Sequence, residues 1–170
     1  HLSNYTKIKE ILAQSKIDSV DGILFDLGIS SFQVDSGYKG LSYRKNHQLD
    51  MWMDSSVVSE KTLREILYNT TRENLADIIY KYGDERGSRK ISNAIKEYIK
   101  KGKMENNEDL VSAVSEVVPK RYLNKTLSRV FQAFRIKVND ELTNIYNSVI
   151  DAIDILGPGS RLAVITFHSI

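Results

Sequence analysis

Hydrophobic positions along the chain predict two units in which a helix precedes a strand. In the first unit, apolar residues spaced for one helical face at residues 5–12 precede a continuous apolar run at residues 20–25. In the second, three- and four-residue spacing at residues 142–156 precedes another apolar run at residues 161–167, after a break at Gly157, Pro158 and Gly159. Continuous apolar runs are typical of strands buried in parallel sheets, so we expect both strands in one α/β sheet.

The stretch between these units contains only helical patterns. Thr70 and Glu73 form a capping-box signature before a helix that ends near Gly83. Two more helical patterns cover residues 91–102 and 107–118, and Pro119 ends the second. We therefore predict an all-helical insert at residues 50–124, inside an α/β scaffold made of residues 1–49 and 125–170.

Composition excludes several classes of protein. The chain has 170 residues, is 41% apolar and contains no Cys, which excludes thiolate catalysis, disulfides and the usual zinc ribbons. The three His residues lack metal-ligand spacing, so no metal is predicted. No apolar run approaches the roughly 20 residues of a membrane span, and no signal peptide is recognisable. We expect a cytoplasmic protein without a membrane partner.

Charge is distributed unevenly along the chain. The net charge is only +2, but residues 117–139 contain six basic residues and no acid. A solvated helix face and a nucleic-acid contact both fit this segment.

Polar residues follow both predicted strands. Asp26 and Gly28 come after the first, and His168 and Ser169 come after the second. Ligands of open α/β sheets bind at the carboxyl ends of strands. The long segment at residues 26–54 that follows the first strand is therefore predicted to be functional.

Several motifs in register along the chain resemble one known family. They are DLGISSFQVD at residues 26–35, GLSYRK at 40–45, LDMWMD at 49–54, FQAFRIKVNDEL at 131–142 and LGPGSRLAVITFHS at 156–169. Together they resemble the bacterial 16S rRNA (cytosine N4)-methyltransferase family, known as RsmH or MraW. The segment YGDER at residues 82–86 is similar to a motif in the family's inserted domain.

The resemblance implies a partial class I, Rossmann-like methyltransferase domain with an inserted helical domain. The implied activity is S-adenosylmethionine-dependent methylation of the N4 amine of a cytidine in 16S rRNA of the small ribosomal subunit. The implied cofactor-binding residues are Tyr5, Asp26 and Gln33. Tyr5 replaces the family's more usual Phe and keeps a stacking face.

Four residues are candidates for catalysis: Asp26, Asn139, His168 and Ser169. The N4 amine is a weak nucleophile, so catalysis must position it and accept hydrogen bonds from its N–H groups. Asp26 can do this or orient the cofactor, and the alternative is that it caps the following turn. Asn139 is predicted to hold the base or the cofactor, and His168 and Ser169 either line the pocket or end the strand.

Phosphate contacts are predicted for Arg44, Lys45 and Arg135, because rRNA binding draws much of its affinity from phosphates. A structural salt bridge is the alternative for Arg135. Trp52 stands where the family usually has Arg, and either packs in the protein or offers a stacking surface.

A glycine-rich cofactor loop is absent from this sequence, and the resemblance places that loop upstream. We therefore expect an internal piece that binds the cofactor weakly or not at all. The alternative function is a truncated, non-catalytic relative that binds RNA or the ribosome.

Overall fold

The computed structural model describes residues 1–29, 38–53 and 62–166. Three predicted site residues, Gln33, His168 and Ser169, lie outside the described residues. The chain divides into two compact units, residues 1–29 with 140–170 and residues 30–139. In chain order, the elements are α1 (Ile8–Gln14), β1 (Val20–Leu27), α2 (Leu63–Asn69), α3 (Arg72–Gly83), α4 (Ser88–Lys100), α5 (Asn107–Val117), α6 (Lys120–Val138), α7 (Glu141–Ile155) and β2 (Leu156–Thr166). Short 3-10 turns at Tyr5–Lys7 and Tyr38–Gly40 add to these.

The first unit contains the parallel sheet that the sequence predicts. β1 and β2 pair in parallel from Gly22 opposite Arg161 to Leu27 opposite Thr166, with a register irregularity between Val20 and Gly22. α7 ends at Ile155, just before Gly157, Pro158 and Gly159, but these residues lie inside β2, which begins at Leu156 and not at the predicted Arg161. The expectation that the two distant strands belong to one parallel sheet is therefore confirmed.

Ionic contacts join the two helices of this unit. Lys9 of α1 lies 2.9 Å from Asp151 and 2.7 Å from Asp154 of α7. On the sheet, Phe25 is buried, whereas Leu24 and Val164 remain 63% and 44% exposed. Parallel sheets are usually covered on both faces, so this pair of strands carries unusually exposed apolar side chains.

The second unit is built from α2 to α6 around one apolar core. Helix starts are fixed by capping boxes, in which Thr62 exchanges hydrogen bonds with Glu65 and Asn106 with Asp109. The cap of α3 is Thr71, one residue after the predicted Thr70. The buried core residues are Leu41, Leu49, Met51, Leu63, Leu67, Leu75, Ile79, Ile91, Ala94, Ile95, Met104, Leu110, Ala113, Val114, Leu127, Val130, Phe131, Phe134 and Val138.

The helical unit is wider than the predicted insert of residues 50–124. The predicted boundary at 124 falls inside α6, which is one continuous helix of 19 residues. On the other side, Leu41 and Leu49 pack in the helical core. The division by contacts therefore places the unit at residues 30–139. The assignment of substrate recognition to the insert stays a prediction.

Candidate functional site

Asp26 lies near the carboxyl end of β1, where the sheet geometry favours a ligand. It pairs in register with Ile165, and the next pair, Leu27 with Thr166, ends the described part of both strands. Both carboxyl ends therefore share one edge of the sheet, and Asp26 is exposed there. An exposed carboxylate at this edge can accept hydrogen bonds from hydroxyl or ammonium groups.

Tyr5 packs against Phe25, the residue that precedes Asp26 in β1. Its ring centroid lies 6.0 Å from that of Phe25, with an interplanar angle of 68°. Successive strand residues point to opposite faces, so Tyr5 lies on the face opposite the Asp26 side chain. Burial raises the pKa of Tyr5, and the nearby negative charge of Glu141 raises it further. The structure thus places two predicted cofactor-binding residues on the two faces of β1.

In the helical unit, Asn107 holds the loop that carries the GLSYRK motif. Its Nδ2 donates hydrogen bonds to the carbonyl oxygens of Gly40 at 3.1 Å, Ser42 at 2.8 Å and Lys45 at 3.4 Å. Asn107 is 1% exposed, so its amide takes the place of water for this buried backbone. Gly40 has φ 78°, and a Cβ there would lie 2.6 Å from the Gln48 carbonyl oxygen. The loop therefore has a fixed path through this unit.

Asn139 holds the following segment, which carries the LDMWMD motif. Its Oδ1 accepts a hydrogen bond from the Met53 N–H at 2.9 Å, and its Nδ2 donates to the Met51 carbonyl at 2.9 Å. Met51 has φ 61° and is fully buried, which is an uncommon backbone conformation for a side chain of this size. Asn139 therefore supports a strained turn, a role that the sequence did not suggest for it.

The predicted phosphate-binding residues of the loop remain accessible. Arg44 and Lys45 are both exposed, and the Arg44 guanidinium lies 5.9 Å from the centre of the Tyr43 ring. Tyr43 packs on α6, where its ring centroid lies 5.7 Å from that of Phe131 and its hydroxyl accepts a hydrogen bond from Ser128 Oγ at 3.4 Å. Trp52 packs partly buried against the helical core, which supports its packing interpretation.

Arg135 is buried, which bears on the two roles that the sequence left open for it. It is only 5% exposed, so its guanidinium is not presented to a phosphate, and the structural alternative is favoured. Gln132 donates a hydrogen bond to the Tyr82 carbonyl at 3.1 Å. α6 ends at Val138, and Asn139 is its C-cap residue. Gln132 and Asn139 thus bond to backbone carbonyl groups, and Arg135 is buried.

Sequence reasoning missed Asn107 and Glu85. Glu85 is 8% exposed and accepts hydrogen bonds from the Gly87 N–H at 2.8 Å and from Thr126 Oγ1 at 3.1 Å. It thereby fastens the α3–α4 corner to α6. Its place in the YGDER segment was the only available signal, because nothing local distinguishes a buried carboxylate from an exposed one.

The described residues contain neither a membrane-spanning helix nor a cluster of metal ligands. No helix in those ranges combines the length and apolar character of a membrane span. No three His, Asp or Glu side chains there come together as a metal site.

A parallel sheet with an acid at a strand's carboxyl edge is the ligand-binding arrangement of α/β proteins. Comparison with known families gives a more specific result, since the model of the MraW methylase family matches residues 1–170. The chain belongs to that family.

Curated relatives agree with this assignment. A protein from Desulfotalea psychrophila is 40% identical over 98% of this chain and 57% of its own length. Relatives from Ehrlichia chaffeensis and Brevibacillus brevis are 39% and 40% identical over 99% of the chain, and it covers 57% and 54% of them. All three are named ribosomal RNA small subunit methyltransferase H. The chain thus spans little more than half the length of these relatives.

Proposed function

We propose that the protein containing this chain methylates ribosomal RNA of the small subunit, at the N4 amine of a cytidine. The proposal is carried by the match of the MraW methylase family model to all 170 residues, together with relatives named ribosomal RNA small subunit methyltransferase H. The parallel pairing of β1 and β2 supports it, because it puts Asp26 at the edge of the sheet where α/β proteins bind ligands.

S-adenosylmethionine is the proposed methyl donor, and the residues at the β1 edge fit it. When bound, it supplies an electrophilic methyl group on a positively charged sulfur. The exposed Asp26 carboxylate can accept hydrogen bonds from its hydroxyl or ammonium groups. Tyr5 would contribute by packing against Phe25 and fixing the opposite face of β1.

Positioning is the main task of this chain in the reaction. The N4 lone pair is delocalised into the cytosine ring, so the amine must be held in line with the methyl group. Transfer would join the methyl group to the amine nitrogen as its bond to sulfur breaks, and the amine would then release a proton to solvent. A base must also leave its stack to react, which requires protein groups that hold the surrounding RNA. We assign the binding of the surrounding RNA to Arg44 and Lys45, on the loop whose backbone Asn107 fixes.

The test is methyl transfer by the purified full-length protein. Radiolabelled S-adenosylmethionine and small subunits lacking the modification are the substrates, and the labelled nucleoside is identified by mass spectrometry. We expect N4-methylcytidine. Asp26→Asn should lower transfer at least about tenfold, since a charged acceptor is lost. Asp21→Asn, at an exposed position of the same strand, is the matched control and should leave transfer unchanged.

Two results would overturn these assignments. RNA binding by the wild type without any transferred methyl would favour the alternative of a non-catalytic RNA-binding relative. If Asp26→Asn and wild type were equally active, Asp26 would not be a site residue. The proposed methyltransferase activity would be unaffected.

A further inference from the structure

The strongest charge asymmetry of the protein lies on α6. This helix contributes six of the 24 basic residues of the chain and none of its 22 acids. Arg121, Lys125 and Arg129 are spaced by four residues and therefore lie along one stripe of the helix. Arg121 and Lys125 are exposed.

Two neighbouring segments extend this stripe on either side. On one side, Glu85 accepts a hydrogen bond from Thr126, and Arg86 follows it and is exposed. On the other side, Tyr43 binds Ser128, one turn beyond Lys125, and carries Arg44. The segments that carry Arg86 and Arg44 therefore contact α6 at Thr126 and Ser128, close in sequence to Lys125. We call this surface the α6 basic face, and its members are Arg44, Arg86, Arg121, Lys125 and Arg129.

Pairing with acids does not explain this face. Some exposed cations elsewhere in the helical unit do have acidic partners, as Arg64 has Glu105 at 2.8 Å and Lys100 has Glu97 at 2.8 Å. In the face itself, the Arg129 guanidinium pairs with two acids, Asp84 at 3.5 Å and Glu85 at 3.7 Å. Across the part of the chain that the structure describes, Arg44, Arg86, Arg121 and Lys125 form no ion pair.

Helix stability does not explain it either. The first turn of α6 contains Lys120 and Arg121 and no acid, and Pro119 provides no side-chain cap. The positive end of the helix dipole disfavours cations at this position, so Lys120 and Arg121 lower the stability of the helix. The arrangement would favour an anion placed against this end of the helix.

An aromatic ring indicates which anion fits. Tyr122 is 52% exposed, and the Arg121 guanidinium lies 4.6 Å from the centre of its ring. Exposed aromatic rings beside arginine are stacking surfaces for unpaired bases, and cations around them bind phosphates. An acidic protein surface would be bound by the cations but would gain little from the ring.

We propose that the α6 basic face binds the sugar-phosphate backbone of rRNA, with Tyr122 as a stacking position for an unpaired base. This inference rests on the proposed function and adds a docking surface to it. The surface lies on the helical unit and joins the loop cations to α6, so that a strand of RNA bound at Arg44 continues along Lys125 and Arg121.

Charge reversal tests the proposal. The double variant Arg121→Glu/Lys125→Glu is compared with Lys101→Glu/Lys103→Glu, which changes the charge equally at exposed positions of the same unit. Binding of the full-length protein to small subunits and to protein-free 16S rRNA is measured over a range of salt concentrations. We expect the α6 variant to lose at least about tenfold in affinity for both, with a salt slope shallower by about 1.5. The control should lose less than about threefold.

Thermal unfolding shows whether a loss of RNA affinity results from a loss of folded protein. Glu in the first turn of α6 suits the helix dipole, so the α6 variant should melt no lower than wild type. Tyr122→Ala provides a second, charge-neutral readout and should weaken binding to protein-free rRNA.

The proposal is overturned if the α6 variant binds RNA as the control does, or if it loses affinity for the particle alone, which would indicate a protein partner. Measurements of methyl transfer distinguish the docking surface from the proposed methyltransferase activity. An α6 variant with unchanged KM for the subunit refutes the docking surface and leaves the methyltransferase activity intact. A wild-type protein that binds through this face and transfers no methyl refutes the activity alone.

Discussion

Replacing Asn139 by Ala tests the support of the LDMWMD turn. The substitution removes the acceptor of the Met53 N–H and the donor to the Met51 carbonyl, both at 2.9 Å. The turn is part-buried, so water does not fully replace these partners. An unsatisfied buried backbone group costs about 1–3 kcal/mol, and the two together should cost about 2–4 kcal/mol. That is a large fraction of the roughly 5–15 kcal/mol by which domains are stable.

Urea unfolding of the 170-residue chain, followed by circular dichroism, measures this loss. The midpoint should fall while the slope against urea stays the same, since the surface exposed on unfolding is unchanged. Asn124→Ala, at an exposed position of α6, the helix that Asn139 caps, is the matched control and should change stability by less than about 0.5 kcal/mol. Equal midpoints for Asn139→Ala and this control would refute the interpretation of Asn139 as the support of the turn.

Two further predictions follow from the packing and the pKa shifts. Gly83→Ala should destabilise the helical unit by about 1–3 kcal/mol, because the new Cβ would lie 2.5 Å from the Arg129 carbonyl oxygen and push α3 from α6; an unchanged melting temperature would contradict this contact. The pKa of Tyr5 is raised above its ordinary value of 10.0, so the unfolded chain loses this proton first and wild-type stability should fall as pH rises above about 10. Tyr5→Phe should flatten this decline in unfolding experiments, and an identical decline in both proteins would argue against the shift.

Local patterns in the sequence predict much of the fold. The helix-then-strand order and the apolar runs predict the parallel pairing of β1 with β2, although about 130 residues separate them. α7 ends at Ile155, as expected just before Gly157, Pro158 and Gly159, although these three residues lie inside β2 rather than ahead of it. These features succeed because hydrophobic periodicity and helix-breaking residues act over a few neighbouring positions.

The limits of the helical unit were harder to predict because they depend on distant contacts. Leu41 and Leu49 lie in a segment with no regular pattern, yet they pack in the helical core. The predicted boundary at residue 124 falls inside α6, which is continuous from Lys120 to Val138. The helical unit therefore extends beyond the range that periodicity indicated.

The roles of polar residues were the least predictable part of the site. Asn139 and Arg135 share a motif that suggests binding, but Asn139 bonds to the backbone of Met51 and Met53, and Arg135 is buried. A sequence shows which donors and acceptors are present, whereas their partners depend on the tertiary structure. Arg44 and Lys45 are accessible, and their contacts with RNA phosphates stay a prediction.

The most direct test of the proposed activity is nucleoside analysis of small-subunit rRNA from cells that lack the gene. Mass spectrometry should show the loss of one N4-methylcytidine, and the full-length wild-type gene should restore it. A complete set of modified nucleosides in the deletion strain would contradict the account.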